Sequence, residues 1–81
     1  MKYAKEIISL MAAYPGKSFK MRHLVNFIRP NAKGNEYDAI RKGILRVLEH
    51  LKENNLIRVE NAESKTTSRY AWKLRHEVVD N

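Results

Sequence analysis

The stretch Asn35–Asn54, NEYDAIRKGILRVLEHLKEN, constrains this chain more than any other. At about 100° per residue, Ile40, Ile44, Val47, Leu48 and Leu51 fall in one arc, with Tyr37 on its edge. Such a stripe defines a long helix with one buried face. Pro30 and Gly34 break the chain just ahead of it. Asn35 is placed to cap the helix by accepting from first-turn N–H groups, and Asp38 follows three residues on, close to a capping box. Lys42 and Arg46 lie away from the arc and Arg41 flanks it, so the open face is basic over its first half. Glu49, Lys52 and Glu53 mix the charge over the second half.

After Asn54-Asn55 the apolar period changes from 3.6 to 2. Leu56-Ile57-Arg58-Val59-Glu60 alternates, and so does Arg69-Tyr70-Ala71-Trp72-Lys73-Leu74. The pair predicts a hairpin over about 56–60 and 69–75, with a polar tip containing Lys65, Thr66, Thr67 and Ser68. Tyr70, Trp72 and Leu74 share one side, which assigns them to a core-facing sheet surface rather than to stacking on unpaired bases.

Two helices precede the long one. Over about 2–14, Ala4, Ile7, Ile8 and Met11 share a face that Tyr3, Leu10 and Tyr14 widen, and Pro15-Gly16 ends it. Over about 20–29, Met21, Leu24, Val25 and Ile28 recur at helical spacing, and Pro30 disfavours continuation past Arg29. Phe19 and Phe27 are expected in the core. Lys17-Ser18-Phe19 reads as a single extended rung. The long helix spans about 35–54, and the expected fold is α+β, a single domain over 1–81 with three helices followed by a two-stranded hairpin.

Composition narrows the chemistry. Net charge is +7, from 16 Lys and Arg against 9 Asp and Glu, with pI near 9.9. Residues 1–30 hold six of those cations and one acid. A domain this small and basic favours polyanionic partners, nucleic acid first. The chain has no cysteine, which excludes disulfides and thiolate metal sites. His23, His50 and His76 lack metal-ligand spacing. No glycine-rich phosphate loop and no carboxylate pair in an apolar setting is present, so neither an enzyme nor a cofactor or small-molecule substrate is expected. No apolar run is long enough to span a bilayer, and Lys5 and Glu6 break up the first apolar segment, which argues against a signal peptide. The expectation is a cytoplasmic protein without membrane contact, nucleoid-associated in a bacterium or archaeon.

The order helix, short extended piece, helix, loop, long helix, hairpin resembles the winged helix-turn-helix family from Lys2 to Leu74. The residues that carry the resemblance are Gly16-Lys17-Ser18-Phe19 running into Met21-Arg22-His23-Leu24-Val25, the helix end Leu51-Lys52-Glu53-Asn54-Asn55-Leu56-Ile57, and the return Arg69-Tyr70-Ala71-Trp72-Lys73-Leu74. The segment Arg29–Gly34 is longer than the tight turn of the simplest helix-turn-helix proteins, so the angle between the second and third helices stays open.

The resemblance implies binding to double-stranded DNA, with the third helix in the major groove and the hairpin wing on the backbone or minor groove. Carried onto this chain, the base-contact candidates are Asn35, Tyr37, Arg41, Lys42 and Arg46. Tyr37 stands between core and contact. Asp38 suits the helix start, or else reads cytosine. Phosphate candidates are Lys17, Ser18, Lys20, Arg22, His23 and Lys33, and on the wing Lys65, Thr66, Thr67, Ser68 and Arg69. A reader this small makes few base contacts alone, which implies a homodimer on a pseudo-palindrome, joined through Tyr3, Leu10 and Tyr14. The implied role is a small transcriptional regulator. A protein-interaction module of the same fold, or a replication or segregation protein using the same surface, are the alternatives.

Overall fold

The computed structural model describes residues 2–60 and 68–75. The elements run α1 (Ala4–Ala13), β1 (Ser18–Lys20), α2 (Met21–Ile28), α3 (Gly34–Glu53), β2 (Ile57–Glu60) and β3 (Arg69–Trp72). All three helices and both hairpin strands stand where the periodicity put them, with each end within a few residues.

The stripe of α3 is the middle of the core. Ile40, Ile44, Val47, Leu48 and Leu51 are all buried, and Ile44 has no exposed surface. Ile7 and Met11 of α1, Leu24 and Val25 of α2, and Phe19 and Ile57 of the sheet close around them. Burial of a side chain this size is worth about 1.5–3 kcal/mol each, which makes α3 the element the others gather on.

The end of α3 explains the change of period. Asn55 turns left-handed at φ 60°. Its N–H then bonds Lys52 O at 3.0 Å, and the Leu56 N–H bonds Leu51 O at 2.9 Å. These two bonds satisfy the last carbonyls of the helix in a Schellman turn, with asparagine where glycine is commoner. Asn54 adds a bond from Nδ2 to His50 O at 2.8 Å. The chain leaves this turn already extended into β2.

The sheet has three antiparallel strands, in the order β1-β3-β2. This corrects the expected two-stranded hairpin. The rung at Ser18–Lys20 is a strand, too short to show a period, held because it supplies the second edge of β3. Gly16 N–H to Trp72 O (2.8 Å) and Lys73 N–H to Leu56 O (2.9 Å) extend both ladders. Phe19 and Val59 pair with Tyr70, and Ile57 pairs with Trp72, so these side chains share the face toward the helices. Tyr70 and Trp72 pack on the core half-buried. Leu74, beyond the strand end, is more exposed and covers Gly16.

Two further expectations are corrected, and one buried residue is added. Asn35 is not the cap: α3 starts a residue earlier, at Gly34 with φ 58°, and Lys33 stands at its N-cap without a side-chain bond. Phe27 is 50% exposed, because it lies on the side of α2 opposite Val25. Ala71, on the outer sheet face between Ser18 and Arg58, is instead fully buried.

Candidate nucleic-acid interface

Helix α3 is 20 residues long, so it extends about 30 Å. Opposite its buried stripe lie Asn35, Lys42 and Arg46, all exposed, with Asp38 between the first two. Arg41 is exposed at one flank of this face and Gly43 lies at the other. The Arg41 guanidinium is close enough to Tyr70 of β3 to act on its phenol: burial pushes that group above its ordinary value, and Arg41 offsets part of the rise. Arg41 therefore sits at the seam between α3 and the sheet, while Lys42 and Arg46 face outward. Tyr37 is half-buried and packs on the core, with one edge in the wall of the groove described next.

A groove of about 290 Å³ runs between α2 and the start of α3. Arg22 and Asn26 line it from α2, and Arg29 from the residue just past its end. Asn31, Ala32 and Tyr37 line the other side. Asn31 holds φ 65°, a left-handed conformation that asparagine tolerates, and this turns the longer loop back toward α3. Arg29 Nε reaches Glu36 Oε2 at 3.3 Å, tying the two helices across that loop. Both side chains are well exposed, so the pair contributes little stability but sets where the Arg29 cation rests. Asn26, Arg29 and Asn31 were absent from the sequence-based candidates. The shared helical face of Arg22, Asn26 and Arg29 was the available clue.

Ser18 and His23, both phosphate candidates, hydrogen-bond within the fold. The Ser18 hydroxyl donates to Glu60 Oε1 at 2.7 Å. The Lys20 N–H donates to His23 Nδ1 at 3.3 Å, so His23 satisfies an end group of α2 and, when neutral, carries its proton on Nε2, which is left for an outside acceptor. Lys17 lies over the rings of Tyr14 and Phe19, at 5.3 and 5.4 Å from their centroids. Arg22 and Lys33 are exposed, Lys20 is partly covered, and Arg69 is exposed on β3. Lys65, Thr66 and Thr67 lie outside the described residues; Ser68 is partly buried.

The expected dimer surface is divided. Tyr3 and Leu10 pack partly against the core, while Tyr14 is 54% exposed. Among the described residues, no three His, Asp or Glu side chains converge as a metal site, and no helix is long and apolar enough to cross a membrane. No protein-family model, curated protein or solved structure matches the chain.

Proposed function

We propose that this protein binds double-stranded DNA as a winged helix-turn-helix, with α3 as the reader and the β2–β3 hairpin as the wing. The observation that carries the reading is the outward face of α3. Lys42 and Arg46 stand exposed there, Arg41 flanks them, and none of the three is ion-paired to a described residue. The helix behind them is fixed by five buried side chains, so the donors are presented on a rigid element. Lys42 and Arg46 donate to guanine O6 and N7, Asn35 pairs with adenine, and Asp38 accepts from cytosine N4. Arg22 and Lys33 take phosphate contacts beside the α2–α3 groove. A homodimer on a pseudo-palindrome doubles the few base contacts of one copy, and a small transcriptional regulator is the role such a reader serves.

A salt series of binding to random duplex tests the reading. Affinity should fall linearly on logarithmic axes between about 50 and 200 mM salt, with a slope reporting several phosphate contacts. No binding at the low-salt end sinks it. A second reading, a protein-docking module, is favoured by Phe27 and Tyr14, two aromatic side chains about half exposed. Failure of duplex binding together with capture of a protein partner lost in Phe27→Ser would replace the first reading with this one.

A further inference from the structure

Two unfavourable local choices meet beside α3. Tyr3, just ahead of α1, holds φ 69° and ψ −1°, a left-handed conformation that disfavours an aromatic L-residue. Gly43 interrupts the interior of a 20-residue helix, where alanine is preferred. They are in contact: a Cβ on Gly43 would lie 2.7 Å from Tyr3 Cε2 and 2.8 Å from its Cδ2. The ring edge therefore rests on the helix backbone itself. Backbone strain that persists like this concentrates at sites where the geometry is used.

What surrounds the contact is cationic. An open notch of about 390 Å³ is lined by Lys2, Lys42 and Arg46 together with Tyr3, Ala39 and Gly43, and no carboxylate is among these residues. The Lys2 Nζ stands 5.8 Å from the Tyr3 ring centroid. Three cations from two separate elements converge on one floor. Like charges gathered without a counter-charge repel, and an anion seated among them removes that repulsion. Arg46 brings a planar fork suited to two oxygens, and Lys2 and Lys42 bring point charges.

We propose that this notch is a binding site for a phosphate group, held by Lys2, Lys42 and Arg46 on the platform of Tyr3 and Gly43. The phosphate arrives either as a phosphodiester of a bound duplex or as a free polyphosphate. The first source rests on the duplex-binding reading and assigns Lys42 and Arg46 to the backbone in place of base edges; the second is held in the absence of duplex, leaves their base contacts for DNA, and does not rest on that reading.

The test follows backbone amide shifts of the full ¹⁵N-labelled chain. It is titrated separately with inorganic pyrophosphate and with a short duplex, each against chloride at matched ionic strength. A free-anion site gives saturable shifts at Tyr3, Gly43 and Arg46 with pyrophosphate, and Lys2→Gln weakens them about two- to fivefold. A duplex-only site moves the same amides with DNA alone, again with weakening by Lys2→Gln. Shifts along α3 with duplex but none at Tyr3 and Gly43 overturn the notch and leave the duplex reading standing. Notch shifts with pyrophosphate and no duplex binding keep the notch and sink that reading. Pyrophosphate shifts spread evenly over lysines across the surface, with Lys2→Gln indistinguishable from wild type, also overturn it.

Discussion

The Ser18 hydroxyl donates to Glu60 Oε1 at 2.7 Å across the central strand, joining the two edge strands over 42 residues of chain. The bond lies on the outer sheet face, where Ala71 is buried between its cross-strand neighbours. It engages a hydroxyl that the sequence alone offered to phosphate. Ser18→Ala should therefore act on stability rather than on DNA. Loss of about 0.5–1 kcal/mol in denaturant unfolding is expected, small because both groups are exposed. Duplex affinity should stay within about twofold. A large drop in affinity with stability unchanged would return Ser18 to the interface.

The two arginines nearest the reader face should separate. Lys42→Ala and Arg46→Ala remove outward donors and should relax preference at particular base positions by roughly 1–3 kcal/mol. Arg41 sits beside Tyr70 at the sheet seam. Arg41→Ala should weaken specific and random duplexes alike. Site selection from random duplexes with each variant reads the difference; identical preferences for all three variants would contradict the assignment of roles.

The long helix and the hairpin were legible because their signals are local and repeated. Five buried positions of α3 follow one period, and Asn54-Asn55 marks where it ends. The third strand was not legible. Three residues, Ser18–Lys20, carry no measurable alternation, and their partner strand begins at Arg69. Phe27 shows the complementary limit: apolarity suggested burial, but its helical phase puts it outside. Within the site, the outward placement of Lys42 and Arg46 followed from the wheel. The placement of Lys2 beside them did not, since it depends on a left-handed Tyr3 that only the packed helices impose.

The Arg29–Glu36 pair gives an engineering test of the groove. Both partners are exposed, so Glu36→Gln should change unfolding free energy by less than about 0.5 kcal/mol. It frees Arg29, which lines the groove with Arg22, from its partner Glu36 outside that lining. Duplex binding should tighten modestly, with a steeper salt dependence. Weaker binding would mean that the pair positions α2 for contact rather than restraining a cation.

Tyr70 carries a pH dependence with a definite sign. Burial raises its phenol above the ordinary value of 10.0, and Arg41 offsets only part of this. The folded chain thus holds a proton that the unfolded chain releases first. Stability from this group is complete below pH about 10 and declines as pH rises from there toward the folded value. Unfolding of wild type and Tyr70→Phe compared near pH 8 and pH 11 should show the smaller alkaline loss in the variant. Equal losses would mean the phenol is as free in the fold as in the unfolded chain.

Gly43 and Tyr3 make a cycle whose sign should reverse. In an exposed helix interior, glycine to alanine stabilises by about 0.5–1 kcal/mol. Here the new methyl would meet the Tyr3 ring at 2.7 and 2.8 Å, distances no contact sustains. The ring must leave, and with it goes its packing on the core. Gly43→Ala alone should destabilise by about 1 kcal/mol, because overpacking outweighs propensity. In a Tyr3→Ala background the ring is absent, and the same change should stabilise. The coupling between the two positions should then exceed about 1 kcal/mol. Additive effects in denaturant unfolding would mean that the ring is not seated on α3 in solution, and the floor of the cationic notch would go with it.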